Sequence, residues 1–188
     1  MTSRKKAVTI GGKPGSFMMG AVANYITMLK GRLGLPIPEM SSEFPFHRKI
    51  LVNYVEVCEF LRQGQPLSDE ERQDIGDCVT RWERLLVKMK AHQALNNRYC
   101  LWEEGAAQRE AGSPGAQLFD LSDLRCLHQA LAEYLVACRL VEKRADFTED
   151  EGAELGNDFR LYEMGYEAAT EAERCLWEEI RNGKAPLD

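Results

Sequence analysis

The feature that most restricts the fold is an internal repeat. Leu67 to Glu83 reads LSDEERQDIGDCVTRWE and Phe147 to Glu163 reads FTEDEGAELGNDFRLYE, at a constant offset of 80 residues with no gap. Ser68 matches Thr148, Glu71 matches Glu151, Ile75-Gly76 matches Leu155-Gly156, and Trp82 matches Tyr162. The offset also holds upstream, where Leu51, Tyr54, Cys58 and Leu61 meet Leu131, Tyr134, Cys138 and Val141. Chance helical similarity reproduces leucine spacing, but less readily a cap, a glycine, a tyrosine and a cysteine together.

Each copy reads as a helical hairpin. The first helices run over roughly Arg48–Arg62 and Leu121–Arg144, with apolar residues stepping by three and four. The second helices each open on a capping box, Ser68 with Glu71 and Thr148 with Glu151, in which the hydroxyl accepts from the N3 amide and the glutamate reaches back. Acidic residues in both first turns suit the helix dipole. Gly76 and Gly156 fall inside these helices, where glycine costs up to about 1 kcal/mol against alanine. Close approach of a neighbouring helix is expected to offset that cost, so Gly76→Leu is expected to destabilise beyond propensity.

One apolar face per hairpin must be buried against something. The expected architecture is therefore an all-α helical bundle of two tandem hairpins plus an N-terminal helix, in one compact domain. Residues 1–47 form an arm, 48–110 the first hairpin, 111–120 a linker rich in Gly, Ser and Pro, and 121–188 the second hairpin. Within the arm, Phe17 to Leu29 reads as an accessory helix capped by Ser16, and Leu35 to Phe46 as an extended connector. Ala7 to Ile10 has strand character but no evident partner.

A second match, Cys100-Leu101-Trp102-Glu103-Glu104 with Cys175-Leu176-Trp177-Glu178-Glu179, has an offset of 75. A duplicated Trp beside acidic residues would suit a pseudo-symmetric protein interface, with Trp102, Glu103, Trp177 and Glu178 as its residues. His92, Asn96 and Asn97 interrupt the first apolar stripe and form a candidate polar notch for a ligand or partner.

Charge is uneven. Residues 1–65 carry nine basic and four acidic side chains, and the remainder fifteen and twenty-six, for a net charge of -6. The basic end offers candidate anion contacts at Lys5, Lys6, Lys13, Arg48 and Lys49, with Arg4 and Arg32 nearby in sequence. The acidic remainder opposes duplex nucleic acid. Gly11-Gly12-Lys13-Pro14-Gly15-Ser16 lacks the spacing of a phosphate-binding loop and reads as a tail or turn.

No catalytic motif stands out. His47, His92 and His128 are the only histidines, and none follows a glutamate by three residues, as helical di-metal sites require. The six cysteines form no CxxC pair and read as free thiols of a reducing compartment. No run reaches the roughly 20 apolar residues that span a bilayer, and no cleavage pattern follows Leu29, so a cytoplasmic location is expected.

These observations lead to an expectation of a non-enzymatic protein without cofactor or metal, working by protein–protein association or self-association as an adaptor, inhibitor or assembly component. The alternatives are a nucleic-acid-binding regulator using the basic N-terminal region, and a small-ligand or enzymatic pocket between the repeats.

Overall fold

A computed structural model describes residues 6–38, 45–96, 98–109 and 119–186. The order of elements is β1 (Ala7–Gly11), α1 (Gly12–Arg32), α2 (Pro45–Leu61), α3 (Asp69–Asn96), β2 (Arg98–Glu103), a 3-10 turn (Ala106–Gln108), α4 (Leu121–Glu142) and α5 (Glu149–Arg181). The described residues form a five-helix bundle with a two-stranded antiparallel sheet.

The sheet corrects the all-α expectation. Ala7–Gly11 does find a partner, with Val8 opposite Trp102 and Ile10 opposite Tyr99. That partner comes from the end of the stretch assigned to the first hairpin. The pentapeptide CLWEE is strand and turn at 100–104 but helix at 175–179, so the match at offset 75 is not a structural repeat. Flanking residues decide the outcome. Tyr99 adds an aromatic to the first copy and favours an extended chain. The second copy sits among Ala, Glu and Arg, where Arg174 is bridged to Glu171 and Glu178 at helical spacing.

Three capping boxes set the helix starts. The Glu71 amide donates to Ser68 Oγ at 3.2 Å, and Glu71 Oε2 accepts from the Ser68 amide at 2.8 Å. Thr148 and Glu151 repeat both bonds at 3.2 and 2.9 Å. Asp120 and Asp123 form a third box at α4, built from two aspartates. The α1 start differs from expectation. Gly12 has a φ of +58°, which glycine tolerates and which turns the strand into the helix. Pro14 lies in the first turn, where its missing amide costs nothing. The segment 11–16 is thus a strand-to-helix junction, and Ser16 lies inside the helix rather than capping it.

The N-terminal helix is not peripheral. α1 packs against all four other helices and both strands. Met18, Ala21, Val22, Tyr25, Ile26, Met28 and Leu29 are buried around its circumference. α4 and α5 pack along each other as a hairpin, whereas α2 and α3 barely touch and α1 lies against both. Tandem packed hairpins therefore describe the second pair but not the first.

Gly31 makes the α1–α2 approach possible, since an added Cβ would sit 2.7 Å from a Val55 methyl. Gly76 and Gly156 have nothing within 4 Å of an added Cβ. The expected helix contact at those two glycines does not exist. Gly165 is the α5 glycine that meets a neighbour, with Met18 Cβ at 3.0 Å.

Candidate functional site

Of the three notch residues, His92 is the one whose side chain lies among the described residues, and it is packed between α3 and β2. His92 is 9 % exposed. Its Nε2 accepts the Cys100 amide at 2.9 Å, so the ring carries its proton on Nδ1. The ring also stacks on Tyr99 and meets Phe119 edge-on. Burial holds the imidazole pKa below its ordinary value and favours the neutral acceptor. His92 thus ties β2 to α3. Asn96 ends α3, with its side chain outside the described residues, as is the whole of Asn97.

The two tryptophans do not form a symmetric pair. Trp102 is 5 % exposed beneath the sheet, while Trp177 is 38 % exposed on α5 with the Arg125 guanidinium over its ring. Glu103 binds Arg109 at 2.7 Å, and Glu178 binds Arg174. Trp102 and Glu178 do come together, with Lys6, around a cavity of about 420 Å³ between the sheet and the end of α5. At its floor the buried Glu179 accepts the Gly105 amide at 2.7 Å and pins the turn after β2 to α5.

The basic residues are dispersed. Lys6 lies by Glu178, whereas Lys49 bridges α2 to the α4–α5 turn, reaching Glu151 at 2.9 Å and the Phe147 ring at 4.7 Å. Glu151 and Glu178 lie in the same helix, 27 residues and about 40 Å apart. Lys49 is thus spent on an internal clamp. Lys13 lies over Phe17 at 5.8 Å, and Arg48 is exposed. Lys5 lies outside the described residues. No single basic face joins Lys6 to Lys49.

A polar cluster that the sequence did not flag lies inside the bundle. His47 Nε2 is 3.2 Å from Asp158 Oδ2, with both side chains largely enclosed. Asn24 donates to the Tyr134 hydroxyl at 3.0 Å, and the Tyr134 and Tyr162 rings meet edge-on at 5.1 Å. Cys138 joins this cluster, and burial pushes its thiol up to about 12. Burial thus favours its protonated form.

An apolar surface lies between α2 and α4. Tyr54, Cys58, Ala132, Val136, Ala137 and Leu140 line a shallow groove of about 330 Å³. Val136 is 67 % exposed there, and Phe60 and Leu61 at the end of α2 are 71 % and 58 % exposed. Arg144 covers one side of the Phe60 ring at 5.8 Å. Leu61 was expected on the buried face of its helix, but α2 ends there and the described residues leave it mostly exposed. Val136 was legible as an apolar residue off the helical stripe of α4, and its weight was missed. Glu133 marks the groove edge, where it accepts from the Tyr25 hydroxyl and burial raises its carboxyl.

Fold and surface together define a class, a mixed five-helix bundle with an apolar groove between two of its helices. None of the protein families, curated proteins or solved structures compared with this chain matches it. Among the described residues no helix is long and apolar enough to cross a membrane.

Proposed function

We propose that this chain is a non-enzymatic association protein, an adaptor, inhibitor or assembly component, that docks a protein surface in the α2–α4 groove. The observation that carries the reading is the apolar lining of the groove, with Val136 mostly exposed in it and Phe60 and Leu61 mostly exposed at the end of α2. Exposed apolar side chains on two adjacent helices favour a protein contact over a solvated face. The groove is shallow and apolar, which suits a complementary apolar side-chain row. A second copy of this chain is the first partner to examine, because it presents the same groove.

The test is solution mass across a wide concentration range, together with a photo-crosslinking residue placed at Val136 or, as control, at Arg160. Association requires either a concentration-dependent mass that Val136→Glu abolishes or a crosslinked protein specific to position 136. A chain that stays monomeric at high concentration, with the same crosslinking from both positions, overturns the reading.

A further inference from the structure

A second cavity, of about 360 Å³, lies where α1 and α2 both end, against the turn into α3. Three arginines line it, Arg32, Arg62 and Arg72, with Glu59 as the one carboxylate among its lining residues. Arg62 is accounted for. It donates to the Gln65 and Pro66 carbonyls and pairs with Glu71 at 2.8 Å. That pairing holds the Glu71 carboxyl down at about 2, with the Ser68 contacts adding to it.

Arg32 and Arg72 are not spent in this way. Neither forms an ion pair among the described residues. Arg32 lies within hydrogen-bonding range of the Tyr54 hydroxyl, while its own Nε is buried and has no acceptor among the described residues.

Helix ends offer one ordinary explanation, since arginines often cover the last carbonyls. It does not apply to these two. The last carbonyls of α1 accept from the amides of Leu33, Gly34 and Leu35, and those of α2 from Arg62, Gln63 and Gly64. Two arginines without an ion pair among the described residues thus line one cavity, in a chain whose net charge is -6. Like charges gathered at one cavity repel, and an anion bound between them relieves that repulsion.

The chemistry selects the ligand class. A guanidinium presents its donors as a planar fork that fits phosphate and carboxylate oxygens in pairs. Two positive charges match a phosphate monoester, which carries about −1.5 to −2 at neutral pH. The volume exceeds that of a bare ion and falls at the lower end of small-molecule sites, about 300–1,000 Å³. Leu33, Val55 and Leu67 supply an apolar wall.

We propose that this cavity binds a small phosphate monoester, with its phosphate between Arg32 and Arg72 and its organic group against Leu33, Val55 and Leu67. The proposal does not rest on the docking reading; the two sites share Cys58 in their linings, and Arg32 also reaches Tyr54 of the groove.

The test is calorimetric titration of the full chain with phenyl phosphate at low salt, beside inorganic phosphate and benzoate. One saturable site is expected, with both comparison anions weaker. Arg32→Gln and Arg72→Gln should each weaken binding by about tenfold or more, and Arg160→Gln on α5 should leave it unchanged. Arg72 is exposed, so its variant keeps the fold even if the Arg32 variant does not. The Arg32 Nε–H resonance of the unmodified chain should shift during the titration, a readout that a folding defect does not produce. Three results would overturn the proposal: no saturable binding at millimolar phenyl phosphate, equal weakening by Arg160→Gln, or benzoate binding as tightly as phenyl phosphate.

Discussion

Replacing His92 with leucine removes the acceptor of the Cys100 amide and keeps a side chain of similar bulk. The amide lies within β2, and it loses its partner at 2.9 Å. An unsatisfied buried donor costs about 1–3 kcal/mol. Loss of the Tyr99 stack and the Phe119 edge contact adds about 0.5–1.5 kcal/mol. The sum is about 1.5–4.5 kcal/mol, or roughly 3–18 °C in Tm for a chain of this size. Urea and thermal unfolding followed by far-UV circular dichroism measure it directly.

The pH dependence is a second handle on the same residue. Burial lowers the folded-state pKa, so the unfolded chain binds the proton more readily. The stability contributed by neutral His92 is therefore complete above the unfolded value of about 6.5 and declines as pH falls toward the folded value. His92→Leu should flatten that part of the profile. A variant within about 0.5 kcal/mol of the parent, with an unchanged acid limb, would refute the tie between α3 and β2 and return His92 to a ligand-binding role.

Other substitutions test the remaining links. Thr148→Ala and Ser68→Ala should each cost about 1 kcal/mol in urea unfolding, because each deletes an observed N-cap acceptor. Gly76→Ala should stabilise by about 0.5–1 kcal/mol, since its Cβ meets nothing. Gly165→Ala should instead destabilise by about 1 kcal/mol or more, as its Cβ presses on Met18; equal effects at the two glycines would contradict the packing. Val136→Glu should change stability by no more than about 0.5 kcal/mol while abolishing association, read by unfolding and solution mass together.

The parts legible in the sequence are those with local causes. Capping boxes need four consecutive residues, and both that were expected are present with both hydrogen bonds. The stripes placed Leu51, Trp82, Leu131 and Tyr162 in the core, where they are buried. What failed depends on residues far apart in the chain. Ala7–Gly11 needs a partner about 90 residues away, and nothing near it announces Arg98–Glu103. Trp102 and Trp177 share a pentapeptide, yet one lies under a sheet and the other on a helix surface. The groove needed the knowledge that α2 lies beside α4, and the arginine cavity needed the ends of α1 and α2 brought together.

The central position of α1 gives the periodicity of 80 residues a physical meaning. Trp82 and Tyr162 are equivalent in the repeat and equally buried, and each rests on an aromatic residue of α1. Tyr25 meets Trp82 edge-on at 5.0 Å, and Phe17 meets Tyr162 at 5.4 Å. These two residues are eight apart, about 12 Å along one helix axis. The two helix pairs therefore do not chiefly cover each other; both lay matching aromatics on a shared third element. A chain beginning at residue 45 would uncover Trp82 and Tyr162 at once. It should lose cooperative unfolding throughout, rather than keep a folded second pair. Amide exchange that remained slow in α4 and α5 of such a chain would show the second hairpin standing alone, and α1 would then be a lid rather than a core.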